Sequence, residues 1–140
     1  MISILIILLS LLSCNDSNPK QNQQLQASIQ RGAIVYEDFC MQCHMPDGKG
    51  VEKAFPPLAN SDYLMNKRKE SIKAIKYGLT GEITVNGKKY KTAMAPLGLT
   101  NKEVADVMNY ITNSWDNKND KMITEDEVSK IQQLKSFIIG

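Results

Sequence analysis

The pentapeptide Cys40-Met41-Gln42-Cys43-His44 constrains this 140-residue chain more than any other feature. Two thiols at this spacing, followed at once by an imidazole, form the pattern of covalent haem attachment. Each thiol can add to one vinyl group of the haem, giving two thioether bonds. His44 then presents its ring to the iron from the same side. One short segment would set both the position of the cofactor and its proximal ligand. Two other readings use the same residues. A thioredoxin-like dithiol sits between a strand and a helix, whereas here a helical pattern precedes the motif and a glycine-rich loop follows. A structural zinc site needs four ligands, and Cys40, Cys43 and His44 supply three.

His44 is the sole histidine, which excludes a second histidine as distal ligand. A Met/His pair is the common alternative, and it raises the reduction potential. Of the seven methionines, Met1 leaves with a signal segment, and Met41 and Met45 are held beside His44. Met65 and Met108 read as packing, and Met122 lies in a polar stretch. Met94 remains, in the loop Ala93-Met94-Ala95-Pro96, where the proline stiffens the backbone. Core packing is the commoner fate of a methionine. In a chain with a haem and one histidine, Met94 is the favoured distal ligand.

Residues 2–12 are almost continuously apolar. They are shorter than the roughly 20 residues of a bilayer span and fit the apolar region of a signal peptide. Leu11-Leu12-Ser13-Cys14 resembles a bacterial lipobox, which implies a lipid on Cys14. The chain therefore divides into a signal peptide and lipobox over 1–14, a flexible Asn- and Gln-rich tether over 15–24, a haem domain over 25–116, and a linker with a C-terminal helix over 117–140. Within the domain, Leu25, Ile29, Ala33 and Tyr36 recur on one face of a helix over 25–39. Ile72 and Ile75 mark a helix over 68–77 that Gly78 stops. Asn86-Gly87 marks a hairpin over 83–90. A capping box from Thr100 to Glu103 opens a helix with Val104, Val107, Met108 and Ile111 inward. A second box from Thr124 to Glu127 opens a helix running to Phe137, with Val128, Ile131 and Leu134 inward. Residues 117–121 read as a polar linker.

The ordered series Gly32, Tyr36, Cys40-x-x-Cys43-His44, Gly48-x-Gly50, Pro56-Pro57-Leu58, Met94 and the following helix resembles the class I monohaem c-type cytochromes over about residues 29–115. The resemblance implies an all-α fold: a few helices around one covalently bound haem c, with a short hairpin and an extra C-terminal helix. It implies that the first and last helices of the domain cross closely at Gly32, with Tyr36 opposite Val107 and Tyr110. The Pro56 carbonyl would accept a hydrogen bond from the His44 ring nitrogen that faces away from iron, and Leu58 would pack on the haem. The run from Phe55 to Asp62, the hairpin and Asn113-Ser114-Trp115 look like a bacterial subset, found alone or fused to periplasmic oxidoreductases.

The expected function is electron transfer by a lipid-anchored protein on the periplasmic side of a bacterial cell envelope. It is an electron carrier rather than an enzyme. Its partners would be periplasmic or membrane oxidoreductases such as a nitrite reductase, a quinoprotein dehydrogenase or a terminal oxidase. A haem-based gas sensor or a peroxidase-like enzyme with a labile distal ligand is the alternative. A net charge of +2 is too mild for a nucleic-acid partner. Lys49, Lys53, Lys67, Arg68, Lys88, Lys89 and Lys91 suggest a basic rim steering acidic partners, with association slowing as salt rises.

Overall fold

The structure, a computed structural model, describes residues 19–133. In chain order these form α1 (Pro19–Phe39), α2 (Met41–His44), α3 (Asp62–Asn66), α4 (Arg68–Tyr77), β1 (Ile83–Val85), β2 (Lys88–Tyr90), α5 (Asn101–Ile111) and α6 (Glu125–Lys130). The expected signal peptide, Cys14, the start of the tether and the helix end from Leu134 to Phe137 lie outside the described residues. Among the described residues no helix is long and apolar enough to cross a membrane.

Helices α1 and α5 make the main packing contact of the molecule. A Cβ at Gly32 would lie 2.0 Å from the Asp106 carbonyl oxygen and 2.8 Å from Tyr110 Cβ. Only a glycine lets the two backbones come this close. Tyr36 packs its ring 5.4 Å from that of Tyr110 and 5.1 Å from that of Trp115. The buried face of α1 is Ser28, Gly32, Val35 and Tyr36, rotated from the Leu25–Ile29–Ala33 stripe expected from apolar spacing. The rotation has a polar cause. Ser28 donates to Asp106 at 2.6 Å and accepts from Asn109 at 2.8 Å, so a buried hydroxyl is satisfied at the seam. Arg31 adds two bonds of 2.7 Å to the same Asp106 carboxylate.

Among the described residues helix α1 already includes Pro19, inside the stretch expected as tether. Helix α5 carries the expected capping box: Thr100 accepts from the Glu103 amide while the Glu103 carboxylate accepts from the Thr100 amide. Val104, Val107, Met108 and Ile111 are all buried, and Ile72 and Ile75 of α4 join them in one core. The hairpin turns through Asn86 and Gly87, both at positive φ, and pairs Ile83 with Tyr90.

The C-terminal part differs from expectation in three ways. At Thr124 only half of the expected capping box forms: the hydroxyl accepts from the Glu127 amide, while the Glu127 carboxylate is taken by Arg68. Helix α6 ends at Lys130, where Ile131 turns extended. Val128 is fully buried and Ile131 packs against the core. Asn117, expected in a solvated linker, is buried: its amide donates to the carbonyls of Leu58 and Ile111 and its oxygen accepts from the Asn60 amide. The first residue of the connection is thus a structural tie, and the chain after it lies down on the domain.

Candidate functional site

The proximal segment is built by local geometry. Cys40 continues the end of α1 through its amide bond to the Tyr36 carbonyl, and α2 starts at once, with the His44 amide bonding back to Cys40. Cys40 is buried and Cys43 exposed, and the two do not pair in a disulfide. Burial pushes the Cys40 thiol up to about 11, helped by the nearby Cys43. The segment that follows folds back over His44. Gly50 N–H donates to the His44 carbonyl at 3.0 Å, while the Leu58 and Ala59 amides both donate to the Gly48 carbonyl. A Cβ at Gly48 would strike the Trp115 ring at 2.5 Å, and one at Gly50 would strike the Phe55 carbonyl at 2.3 Å. Tyr36 Oη donates to the Met45 carbonyl at 2.7 Å, and Trp115 Nε1 to that of Pro46 at 3.1 Å. The α1–α5 crossing therefore grips the loop that carries the motif.

His44 Nδ1 lies 2.9 Å from the Pro56 carbonyl. A carbonyl can only accept, so Nδ1 carries the proton, and Nε2 is left with a free lone pair. Burial lowers the His44 pKa, against the opposing pull of the Pro56 bond. A neutral ring with a free Nε2 lone pair is the form that can ligate a metal.

Met94 stands in a loop between β2 and α5. Its backbone makes an isolated two-bond bridge to Leu79: Leu79 N–H to the Met94 carbonyl at 2.8 Å, and Met94 N–H to the Leu79 carbonyl at 2.9 Å. Two adjoining cavities, of about 80 Å³ and about 230 Å³, share Cys40, His44, Pro56, Leu79, Ile83 and Met94 as walls. Cys43 lines the larger cavity, and Leu58 the smaller one. The structure so gathers Cys40, Cys43, His44, Pro56, Leu58 and Met94 around one slot. Cys14 lies outside the described residues. Met108 is fully buried in the core, and Met65 packs against it.

The slot suits a flat, mostly apolar cofactor with a polar edge. Leu58, Leu64, Ile75 and Val85 line its smaller cavity. Ser71 Oγ, on the same wall, is the one buried side-chain polar atom among the described residues with no hydrogen-bond partner. A buried hydroxyl left this way costs about 1–3 kcal/mol, and a cofactor with polar substituents offers it a partner. The donor set that lines the slot, two thiols, one imidazole and one thioether, matches covalent haem attachment. No cluster of three or more His, Cys, Asp or Glu side chains that could hold a bare metal ion occurs among the described residues. The motif follows a helix rather than a strand, unlike a thioredoxin-like dithiol.

The expected basic rim is interleaved with acid. Lys49 pairs with Asp47, Lys88 with Glu52, and both Lys89 and Lys91 with Glu82. Arg68 grips Glu127, and Lys67 lies over the Tyr63 ring. Sequence counting registered the lysines but not the carboxylates that the fold brings to them. Leu79, Ser71 and Asn117 were also missed, since nothing in their local sequence marks a role set by contacts far along the chain.

Residues 29–115 match the family model of cytochrome c. The chain is 36% identical over 113 residues to cytochrome c-552 of Thermus thermophilus, covering 74% of this chain and 86% of that protein. It is 31% identical over 105 residues to the cytochrome c subunit of a quinone alcohol dehydrogenase from Gluconacetobacter polyoxogenes, covering 72% of this chain and 22% of the subunit. It is also 31% identical over 108 residues to the gluconate 2-dehydrogenase cytochrome c subunit of Pantoea cypripedii, covering 24% of that protein.

Proposed function

This chain belongs to the cytochrome c family, as a class I monohaem electron carrier with covalently attached haem c, and from that premise we propose a membrane-tethered shuttle with His44 and Met94 as axial ligands. One observation carries the reading: Cys40, His44 and Met94 wall the same slot, and His44 is oriented there by the Pro56 carbonyl. Cys40 and Cys43 are the residues that hold the haem by thioether bonds. The haem, when bound, supplies an iron that takes up and gives back one electron.

The rest falls to the chain. The Pro56 carbonyl fixes the His44 tautomer and raises the basicity of the ring. Met94, on the wall of the same slot, would supply the second ligand and leave no coordination position for a substrate. Apolar walls from Leu58, Leu64, Ile75 and Val85 would exclude water from the bound group. With His44 held by the Pro56 carbonyl and the Met94 backbone by Leu79, little of the chain would have to move when the group changes charge. The relatives that are dehydrogenase subunits support periplasmic or membrane oxidoreductases as partners. The sequence of residues 2–14 supports a lipid on Cys14 and a place on the bacterial cell envelope.

The test is spectroscopic. In protein matured by a cytochrome c assembly system, Met94→Ala is expected to lose the ferric Met–iron charge-transfer band and to bind carbon monoxide at once when reduced, whereas the parent binds it only slowly, as Met94 lets go. A parent that binds carbon monoxide as readily as the variant would overturn the ligand assignment in favour of a sensor or a peroxidase-like enzyme. Cys14→Ser is expected to release the protein from membranes; retention of the variant would contradict the anchor.

A further inference from the structure

The residues after 115 lie outside the family match, yet they are tied to both ends of α4. At its start, Arg68 Nε and Nη2 each hold the Glu127 carboxylate at 2.6 Å, and Nη1 reaches the Lys121 carbonyl at 2.8 Å. At its end, Lys76 Nζ donates to the carbonyls of Val128 at 2.9 Å and Ile131 at 3.2 Å, and Tyr77 Oη donates to Ile131 at 3.0 Å. The acceptor segment is itself anchored: Val128 is fully buried, and the Ile123 backbone exchanges two 2.8 Å bonds with the buried Asn109 amide.

Directly after Tyr77 the chain leaves the helix through Gly78, at φ 79°. A Cβ there would come within 2.7 Å of the Met94 carbonyl. The next residue, Leu79, makes the two backbone bonds that hold Met94. Beyond that pairing, the loop over 91–99 contains no regular element. The last turn of α4 is therefore the support on which the Met94 backbone rests, and the C-terminal segment holds that turn in place.

We infer that Tyr77 and Lys76 are positioning residues for Met94, acting through Gly78 and Leu79. The inference rests on Met94 being the distal ligand. Removing the two side-chain donors frees the last turn of α4 from Ile131, and the Leu79–Met94 pair loosens with it.

The experiment uses the full haem-loaded protein. Carbon monoxide binding to the reduced form, the ferric Met–iron band and amide exchange at Leu79 and Met94 are measured in Tyr77→Phe, Lys76→Met and the double variant. The double variant is expected to bind carbon monoxide about tenfold faster, each single variant about threefold, in line with the usual net strength of the lost bonds. Lys76→Arg, which keeps a cationic donor, is expected to restore most of the parental rate. Thr100→Ala removes the α5 cap, whose bonds run only to Glu103 and not to α4 or Leu79, and costs comparable stability, so it is the control for destabilisation alone and should bind at the parental rate. A double variant that behaves as the parent, or a Thr100→Ala protein that accelerates equally, overturns the inference while leaving the ligand assignment intact. If Met94→Ala itself keeps the band, the ligand assignment fails, and the inference falls with it.

Discussion

The two sides of the haem slot are built in opposite ways. On the His44 side, the two cysteines, the proposed ligand and its orienting carbonyl all fall within residues 40–56, and tight local bonds through Gly48 and Gly50 fold that stretch back on itself. On the Met94 side, the residue sits in an irregular loop and depends on Leu79, which depends on α4, which is braced by residues 121–131. A side that is covalent and local resists perturbation. A side that is non-covalent and long-range can be tuned, and is where a labile ligand would first appear.

That contrast can be broken by mutation, most forcefully at the cysteines. Replacing Cys40 and Cys43 together with Ala should abolish haem that survives denaturing acid extraction, whereas Met94→Ala should retain all of it; heme staining after denaturing electrophoresis reads both. Next come two glycines at positive φ. A Cβ at Gly50 meets the Phe55 carbonyl at 2.3 Å, while one at Gly98, in the distal loop, meets nothing within 4 Å. Gly50→Ala should cost about 3 kcal/mol or more by denaturant unfolding, and Gly98→Ala only about 1 kcal/mol of backbone strain.

Acid should weaken the distal brace. The hydrogen bonds from Arg68 hold the Glu127 carboxyl below its ordinary range, against the opposing effect of burial. A carboxylate depressed in the fold stabilises above its unfolded pKa, and that contribution fades as pH falls through the folded value. Stability measured from pH 6 down to pH 3, about the range where carboxylates titrate, should fall less in Glu127→Gln than in the parent, by about 1.5 kcal/mol. Asp106 behaves in the same sense: burial opposes its ionisation, but bonds from Arg31, Lys102 and Ser28 prevail and lower its pKa. It sits at the α1–α5 seam and should contribute equally in both proteins. The smallest effect is expected from salt. With Lys49, Lys88, Lys89 and Lys91 paired to Asp47, Glu52 and Glu82, partner association by stopped flow should slow less than about threefold as the Debye length shrinks from about 30 Å to about 8 Å. A steep decline would restore the steering that the lysine count suggested.

The same contrast decides what was legible in the sequence. The pentapeptide, the capping box at Thr100, the Asn86-Gly87 turn and the close approach at Gly32 are carried by contiguous residues or by a glycine with one physical reason to be there. Apolar spacing misjudged the inner face of α1 because the seam is made of Ser28 and Gly32, small residues without a hydrophobic signature. It ran α6 on to Phe137 although the helix ends at Lys130, since periodicity alone cannot see that the carbonyls of Val128 and Ile131 are taken by Lys76 and Tyr77. Asn117 looked like linker because its three partners lie at Leu58, Asn60 and Ile111. Met94 was reached by elimination among methionines. What supports it, the bridge to Leu79, leaves no trace in either segment read alone.

Film voltammetry of the haem-loaded protein tests the central claim most directly, because an electron carrier must exchange one electron reversibly and do nothing else. The account predicts a single reversible one-electron couple, shifted to lower potential in Met94→Ala as the thioether ligand is lost, with no catalytic current on adding peroxide. An irreversible couple, or a catalytic wave with peroxide in the unmodified protein, would contradict it.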